Sequence, residues 1–431
     1  MPPFLPYFSD SSKSVTDPLA ARPLAHKRLE CQCFAGSPDR KFQHKDFPLM
    51  TARISFFPVG CGDMALVRTD AGRFILIDVN IRQAADNADD DTPDVARQLK
   101  ERLPRDASGR PYVHAMMLTH PDKDHCSGLL RHFHLGPVSS YQKGSGKIII
   151  REMWSSPTVF RRAQKKTFDL CPDAKAWATE ARRRVAQYRN LGYCPDQERI
   201  LILGQDVDGK TNGLDAILVK VDATWTAING EVDTTFGALL IAPLPASDDD
   251  EEELLTKNNS SIVCRLKLGS GGVADAGRIL LGGDAEVAIW ERVWTRNSGN
   301  ASEYFSYDLL LAPHHCSWHS LSWDSWSELG EEAEVSEDAR AALGQPRDGA
   351  VIVASSKTIS DDDGDPPCIR AKREYDGILD EVRDGVFFCV ADNDDEPLEF
   401  DIRPGGVKLV RKKVPAAVAA PVIGSQPIGH G

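Results

Sequence analysis

Residues 119–125 read Thr119-His120-Pro121-Asp122-Lys123-Asp124-His125. Two histidines and two aspartates, all potential ligands of divalent cations, therefore stand within six consecutive positions. Imidazole and carboxylate groups are the ligands that zinc and manganese take in proteins. The run indicates a metal centre, with ligands enough to serve parts of two adjacent ions.

The segments on either side place this run on a loop between a strand and a helix. Residues 114–118 are mostly apolar and predict a buried strand, and residues 126–130 are typical of the opening of a helix. A single loop cannot complete two metal sites. Other loops must supply a bridging carboxylate and a further histidine.

Two later segments offer these partners. Residues 279–284 predict a short apolar strand that closes on two glycines, which let the backbone approach closely before an exposed Asp284. Residues 308–313 predict another apolar strand that leads directly into His314 and His315. The chain thus carries a candidate bridging carboxylate and a candidate final histidine, in that order.

This order of parts resembles the metallo-β-lactamase fold, and most closely the hydrolase domain of the ComEC-type competence proteins and its soluble relatives. The resemblance covers about residues 52–411 and rests on segments in the family's order: Val59-Gly60-Cys61-Gly62-Asp63, Ile75-Leu76-Ile77-Asp78, the run 120–125, Asn258-Asn259-Ser260-Ser261-Ile262-Val263, Gly282-Gly283-Asp284 and Pro313-His314-His315-Cys316-Ser317. It implies an α/β protein of the metallo-β-lactamase type, an αβ/βα four-layer sandwich with a helical insertion.

The resemblance also implies a ligand set. In this set His120 and Asp122 hold one metal ion, Asp124 and His125 hold the other, and Asp284 bridges them. His314 completes the second site and His315 lies near the substrate, although the sequence leaves open which of these two neighbours is the ligand. The resemblance places Asp63 and Asp78 beside the metal loop, where they would support the ligands.

A two-metal ligand set implies hydrolysis. Two divalent ions, zinc or manganese, can hold a hydroxide nucleophile and neutralise the charge that develops on a phosphoryl group. Asp124 would orient that hydroxide, and Asp124 and His315 are the two predicted catalytic residues. The leading interpretation is a phosphodiesterase or nuclease whose substrate is a phosphodiester in a nucleic acid or nucleotide.

Two other functions remain open from the sequence. The same fold supports hydrolysis of lactones, thioesters and β-lactams, because an activated hydroxide also attacks a carbonyl carbon. A non-catalytic binding protein that keeps the fold is the third possibility.

Three positions depart from the family's pattern. Cys316 stands where relatives have glycine, which predicts a less tightly turned loop. Asp365 and the two prolines after it take the place of a late His-Pro. Finally, no histidine lies between His134 and His314, so the mid-chain ligand of zinc β-lactamases has no counterpart in this sequence.

Composition narrows the class of protein. The 431 residues carry a formal net charge of -13, which disfavours broad, nonspecific adhesion to nucleic acid but leaves room for a local basic channel. No apolar run approaches the roughly 20 residues that span a bilayer, and the proline-broken N-terminus lacks a secretory pattern. The ten cysteines follow no metal-finger spacing, so a cytoplasmic protein with reduced thiols is expected.

The organisation along the chain follows from composition and pattern. Residues 1–50 predict a partly disordered extension, 51–411 the hydrolase domain, and 412–431 a disordered tail. Within the domain, about residues 155–200 predict a helical basic insertion that faces either a phosphate-bearing substrate or solvent. Thr92 is the expected cap of a helix near residue 93. The oligomeric state is open.

Overall fold

The computed structural model describes residues 51–163, 169–246, 255 and 257–410. The predicted extension at 1–50 and the predicted tail at 412–431 lie outside the described residues. The described strands are β1 (Arg53–Phe56), β2 (Ala65–Arg68), β3 (Phe74–Ile77), β4 (Tyr112–Val113), β5 (Ala115–Met117), β6 (Phe133–His134), β7 (Ile148–Ile150), β8 (Glu152–Ser155), β9 (Arg199–Leu203), β10 (Leu218–Val219), β11 (Thr224–Trp225), β12 (Ala227–Ile228), β13 (Glu231–Val232), β14 (Phe236–Ala242), β15 (Val263–Ser270), β16 (Val273–Leu281), β17 (Tyr307–Leu311), β18 (Pro346–Ala354), β19 (Val386–Cys389), β20 (Leu398–Arg403) and β21 (Gly406–Leu409). The described α-helices are α1 (Val95–Arg102), α2 (Lys123–Cys126), α3 (Leu129–His132), α4 (Pro157–Ala163), α5 (Pro172–Leu191), α6 (Val287–Asn297), α7 (Ala301–Tyr304), α8 (Trp326–Leu329), α9 (Glu337–Leu343) and α10 (Ile369–Leu379).

Two large sheets organise the described residues. The first has the strand order β10-β9-β8-β5-β3-β2-β1-β20-β21, and the second has the order β11-β14-β15-β16-β17-β18-β19. In the first sheet β3, β5, β8, β9 and β10 run parallel, and in the second β16, β17, β18 and β19 run parallel. The protein is therefore a mixed α/β structure in which each sheet joins a parallel half to an antiparallel half.

The buried apolar side chains form three clusters. Successive side chains of a strand point to opposite faces of the sheet, so neighbouring residues of one strand belong to different clusters. Leu309 and Leu311 of β17 pack in a cluster with residues of both sheets, whereas Leu310 between them packs against helices α6, α9 and α10. In β3, Ile75 and Ile77 join the shared cluster, and Leu76 faces a third cluster that includes residues of α1 and α5. Strands buried on both faces are continuously apolar, as residues 75–77 and 309–311 are.

The helix predicted near residue 93 begins later than expected. Helix α1 starts at Val95, and its N-terminal cap is Asp94 rather than Thr92. The Asp94 carboxylate accepts a hydrogen bond from the backbone N–H of Arg97 at 2.9 Å. A carboxylate satisfies an unpaired N–H of the first turn and also interacts favourably with the helix dipole.

The helix predicted to open at residues 126–130 is interrupted. Helix α2 ends at Cys126 and α3 begins at Leu129, with Gly128 between them at a φ of 88°. A Cβ at this glycine would lie 2.7 Å from Cβ of Ile81, so the close approach and the positive φ both require glycine. The break turns the chain away from the metal loop immediately after His125.

No described helix combines the length and the apolar character that crossing a membrane requires.

A buried histidine on the first sheet gives a test of the fold through pH. His114 precedes β5, its Nδ1 accepts a hydrogen bond from the backbone N–H of Phe74 at 3.0 Å, and its ring stacks on that of Phe74. Burial, with Arg73 and Arg151 nearby, lowers the pKa of His114 to about 3. Since the unfolded chain binds this proton near pH 6.5 and the folded protein does not, stability is lost as pH falls below about 6.5.

We expect His114→Asn to flatten this pH dependence. Asparagine can keep the hydrogen bond through Oδ1 but does not titrate. Between about pH 7 and pH 5 the wild type should lose about 2 kcal/mol more free energy of unfolding than the variant does, as measured by urea denaturation. Equal losses in the two proteins would contradict a neutral His114 in the folded state.

Candidate metal centre

The carboxyl ends of parallel strands from both sheets meet at the candidate site. Asp78 directly follows β3, and His120 follows β5 by three residues. From the second sheet, Asp284 comes shortly after β16 and His314 shortly after β17. In α/β sheets, ligand sites form at this edge because the loops that leave neighbouring strands converge there. Ser355, just beyond β18, also donates its hydroxyl hydrogen bond to the carbonyl of Gly62 at 2.7 Å, which joins the two sheets beside the site.

Asp78 holds the metal loop in position. Its Oδ1 accepts the backbone N–H of Thr119 at 2.7 Å and its Oδ2 accepts the Thr119 hydroxyl at 2.6 Å. The same Oδ2 lies 2.8 Å from Nδ1 of His125. A carboxylate in this place keeps the proton of His125 on Nδ1, so that the lone pair of Nε2 points towards the site.

Asp284 faces a different pair of histidines with each of its oxygens. Its Oδ1 lies 3.0 Å from Nε2 of His125 and 3.5 Å from Nε2 of His315. Its Oδ2 lies 3.4 Å from Nε2 of His120 and 3.8 Å from Nε2 of His314. The carboxylate therefore stands between two sets of imidazole nitrogens.

Four buried side chains could hold one metal ion. Ligand atoms of Asp63, His125, Asp284 and His315 all lie within 4.8 Å of one another. The Nε2 atoms of His125 and His315 are 3.2 Å apart. Two nitrogens that share a tetrahedral zinc ion at about 2.0–2.1 Å each stand roughly 3.3 Å apart, so this spacing fits a common ion.

Several polar atoms at the site have no hydrogen-bond partner although they are buried. They are Oδ1 of Asp63, Nε2 of His120, Oδ1 of Asp284 and Nδ1 of both His314 and His315. Burying an unpaired polar atom costs about 1–3 kcal/mol, and proteins usually avoid it. Nδ1 of His314 and Nδ1 of His315 face Glu286 and Asp63. Nε2 of His120 and Oδ1 of Asp284 lie among the imidazoles and carboxylates of the centre, where a bound cation would satisfy them, so these donors fit a divalent metal ion.

The two adjacent histidines point to different places because of their backbone. His314, His315 and Cys316 all have positive φ values, of 50°, 55° and 69°. The left-handed conformation costs L-residues roughly 1–2 kcal/mol each, and here it is held partly by a hydrogen bond from the N–H of His314 to the carbonyl of Gly283 at 3.0 Å. The loop is tightly turned even though cysteine stands in place of glycine, contrary to the looser turn predicted at Cys316.

Charges at the site are strongly coupled. Burial acts to lower the pKa of His125, but Asp284 and Asp78 outweigh it and hold that pKa well above its usual value. The pKa of His315 is likewise raised despite burial, by Asp284, Asp124 and Asp63. Burial acts to raise the pKa of Asp284, yet the surrounding imidazoles keep it well below the usual range. Without a cation, protons on His125 and His315 would balance the clustered carboxylates.

The predicted ligands all lie around this centre, at different depths. His120 and His125 are fully buried, and Asp284 is 2% exposed, which corrects the expectation of an exposed carboxylate. The two aspartates of the metal loop are more open, with Asp122 Oδ2 4.0 Å from His120 Nε2 and Asp124 Oδ2 3.4 Å from His315 Nε2.

The two adjacent histidines, between which the sequence left the choice of ligand open, lie at different depths. His315 is 1% exposed and stands among Asp63, Asp124 and Asp284. The side chain of His314 is 15% exposed and lies between Asp284 and Glu286. Asp63 was expected only to support ligands, but its Oδ1 lies 3.4 Å from Nδ1 of His315 and it belongs to the four-residue group. The sequence feature that could have indicated this position of Asp63 is that it directly follows the Gly60-Cys61-Gly62 turn.

Gly62 allows the first turn to pass close to the metal loop. It has a φ of 142°, and a Cβ there would lie 2.7 Å from the backbone oxygen of Asp124. Any side chain would therefore displace either the turn or the loop.

The basic insertion is partly a structural ion-pair network. Arg184 is buried and donates to Glu180 at 2.7 Å, and Arg183 donates to Glu180 and to Glu198. Other basic residues of the insertion line a cavity of about 600 Å³ between α5 and the ends of β8 and β9. Its cationic residues are Arg161, Arg182, Arg189 and Lys210, and its apolar residues include Phe160, Val185, Ile202 and Leu214.

Comparisons with known proteins find similarity among solved structures. No family model matches this chain, and no curated protein matches it. Among solved structures, the crystal structure of unliganded yeast PDE1 is similar to this chain with 12% sequence identity and a TM-score of 0.37. That similarity covers 79% of this chain and 98% of the yeast chain.

Proposed function

We propose that this protein is a metal-dependent phosphodiesterase or nuclease of the metallo-β-lactamase superfamily, with two divalent ions, zinc or manganese. The observation that supports this proposal most directly is the position of Asp284, with one oxygen towards His125 and His315 and the other towards His120 and His314. A bridging carboxylate in a two-metal site has this arrangement.

In this proposal each ion has its own ligands besides Asp284. Asp124, His125 and His315 would hold one ion, and His120, Asp122 and His314 would hold the other. His315 thus takes the ligand role first assigned to His314, because its Nε2 is 3.2 Å from that of His125. His314 would be a ligand on the Oδ2 side of Asp284. It would fill the ligand position that a mid-chain histidine has in zinc β-lactamases and that no such histidine fills in this sequence.

Two further carboxylates would orient the ligands. Asp78 lies beside Nδ1 of His125, and Asp63 lies beside Nδ1 of His315. A carboxylate on the outer nitrogen of a ligating imidazole fixes the tautomer and raises the basicity of the inner nitrogen.

The chemistry follows from these placements. When bound, two divalent ions lower the pKa of water to about 7 and neutralise charge that develops on a phosphoryl group. Burial acts to raise the pKa of Asp124, but the hydrogen bond with His315 and the charge of His125 keep it well below its usual value. Asp124 therefore stays ionised, and its partly exposed carboxylate can accept a hydrogen bond from the attacking water and orient it.

The cavity beside α5 supports a phosphate-bearing substrate. Ser155, at the end of β8, lines this cavity, and β8 is the parallel neighbour of the strand that leads into the metal loop. Arg182, Arg189 and Lys210 place positive charge there. These cationic side chains would attract the anionic part of a phosphodiester.

The test is hydrolysis of bis(p-nitrophenyl) phosphate by the full chain. The protein is stripped with a chelator and reloaded with zinc or manganese at mildly alkaline pH, because ligand imidazoles must lose their protons to bind metal. We expect metal-dependent turnover in the wild type. Asp124→Ala should lower kcat by about 10²-fold or more, because the oriented water is lost while most ligands remain.

Asp380→Ala is the matched control, since this carboxylate is exposed and lies beyond α10. It should keep wild-type turnover. Turnover that is independent of metal, or unchanged in Asp124→Ala, would refute the proposal. Hydrolysis of a lactone in preference to every phosphodiester would assign the site to carbonyl chemistry, and failure to bind metal would indicate a binding protein.

A further inference from the structure

Two cysteine thiols meet beside the metal loop. Cys126 is the last residue of α2 and directly follows His125, and Cys171 is the N-terminal cap of α5. Their sulfur atoms are 3.3 Å apart. A disulfide bond is about 2.05 Å long, so the two sulfurs need to move together by only about 1.3 Å.

The two thiols differ in access and in charge. Cys126 is 1% exposed and its S–H group also lies 3.1 Å from the carbonyl oxygen of Asp122. Cys171 is half-buried and its sulfur accepts a hydrogen bond from the backbone N–H of Ala174 at 3.4 Å. The hydrogen bond from Cys126 and that backbone N–H lower the pKa of Cys171 to about 6 despite partial burial. The accessible sulfur is thus the one that favours the thiolate, which is the reactive form.

Among the described cysteines no other pair has its sulfurs within hydrogen-bonding distance of each other. Cys316 and Cys368 are neighbours, but the Cys316 sulfur faces the backbone carbonyl of Cys368 at 3.9 Å. Cys389 faces Ser356, and Cys61 faces the carbonyl of Pro366. Among the described cysteines, the close approach of two sulfurs is therefore specific to the contact between the end of α2 and the start of α5.

We propose that Cys126 and Cys171 form a reversible disulfide bond in response to hydrogen peroxide, and that this bond ties the start of α5 to the metal loop. The modification site is independent of whether the centre hydrolyses a substrate, because its reactants are the two thiols and the oxidant alone.

The reaction balances in two steps. The Cys171 thiolate attacks one oxygen of hydrogen peroxide and the O–O bond breaks, which leaves a sulfenic acid on Cys171. The other oxygen departs as hydroxide and takes up one proton to become water. The Cys126 sulfur then attacks the sulfur of that sulfenic acid, its S–O bond breaks, and a second water leaves. The two thiols lose two electrons and two hydrogens, and the peroxide is reduced to two waters. A dithiol reductant reverses the bond by exchange.

The bond would change the metal loop at a defined point. Cys126 would lose its single S–H hydrogen, which is shared between the Cys171 sulfur and the carbonyl of Asp122, a candidate ligand. At the same time α5, which carries the cationic residues Arg182 and Arg189 of the cavity, would be covalently attached one residue from His125. The oxidation state of one thiol pair would thus affect both the metal loop and the basic helix.

The test uses the full chain, reduced and then treated with hydrogen peroxide. Remaining thiols are alkylated, and the digest is analysed by mass spectrometry without a reductant. We expect one cross-linked product whose mass is the sum of the unalkylated Cys126 and Cys171 peptides less two hydrogens. After reduction and alkylation the same two peptides should appear separately, each with one alkyl group. Cys171→Ser should abolish this product. Cys126→Ser should leave a sulfenic acid on Cys171 that dimedone traps.

Cys194→Ser is the matched control, because Cys194 is a half-buried thiol three residues beyond the end of α5. It should keep the cross-link at the wild-type yield. The wild-type measurement needs no variant to fold. Two alkylated thiols at positions 126 and 171 after oxidation, or cross-links to other cysteines in equal yield, would overturn the proposal.

Discussion

Asp284→Asn should leave a folded protein that binds little metal and hydrolyses phosphodiesters about 10³-fold more slowly or worse, a loss of about 4 kcal/mol of transition-state stabilisation. The amide keeps the size of the carboxylate, but it has one acceptor oxygen and no charge. It cannot face His125 and His120 with an anionic oxygen each, as Asp284 does. Metal content by atomic absorption and turnover of bis(p-nitrophenyl) phosphate are the two measurements.

A substitution at a second buried aspartate, Asp308, is the control that distinguishes loss of metal binding from a general loss of stability. Asp308 is 4% exposed in β17 and accepts hydrogen bonds from the backbone N–H of Arg278 and from the side chain of Arg347. Asp308→Asn should lower stability while metal content and turnover stay near wild type. Equal metal loss in both variants, or full metal content in Asp284→Asn, would contradict the bridging role.

Asp78→Asn should weaken metal binding, although residue 78 is not one of the proposed metal ligands. Oδ1 of asparagine can still accept the N–H of Thr119, but Nδ2 would then face Nδ1 of His125 at the place where Oδ2 now lies 2.8 Å away. An N–H group there forces Nδ1 to be an acceptor and moves the imidazole proton to Nε2, the nitrogen that must bind the ion. We expect metal affinity to fall by about 10- to 100-fold.

The backbone at this position suits the substitution. Asp78 has a φ of 54°, a conformation that asparagine tolerates well, so the variant should fold. Asp233→Asn is the matched control, since Asp233 is also buried and accepts from the hydroxyls of Thr69 and Thr235 but has no imidazole partner among its hydrogen bonds. Competition with a chromophoric chelator gives the affinities. Unchanged affinity in Asp78→Asn would exclude control of the His125 tautomer.

Much of the fold could be predicted from sequence because buried strands have a strong local pattern. The apolar segments before residues 119 and 284 and before the histidine pair are strands β5, β16 and β17. Their boundaries depend on tertiary contacts, which local pattern does not contain. Asp94 rather than Thr92 caps α1, and the contact between Gly128 and Ile81 splits the helix expected after His125.

The candidate site was predictable in composition but not in detail. Ligand residue types on strand-ending loops show where a site forms, since those loops converge at one edge. Which of His314 and His315 faces His125 depends on three consecutive left-handed residues, a backbone that non-glycine residues rarely adopt. The nearness of Cys126 and Cys171, 45 positions apart, follows from the packing of α5 on α2 and has no local signal.

The division of the ligands between the two sheets has a consequence for folding. His120, Asp122, Asp124 and His125 follow the first sheet's β5, whereas Asp284, His314 and His315 follow strands of the second. An ion could be bound by both groups of ligands only when the two sheets are docked. Its binding free energy would therefore add to the free energy of unfolding of the whole domain. A higher concentration of free metal would then raise the temperature at which the two sheets separate, and a chelator would lower that temperature while the protein stays folded at ordinary temperature.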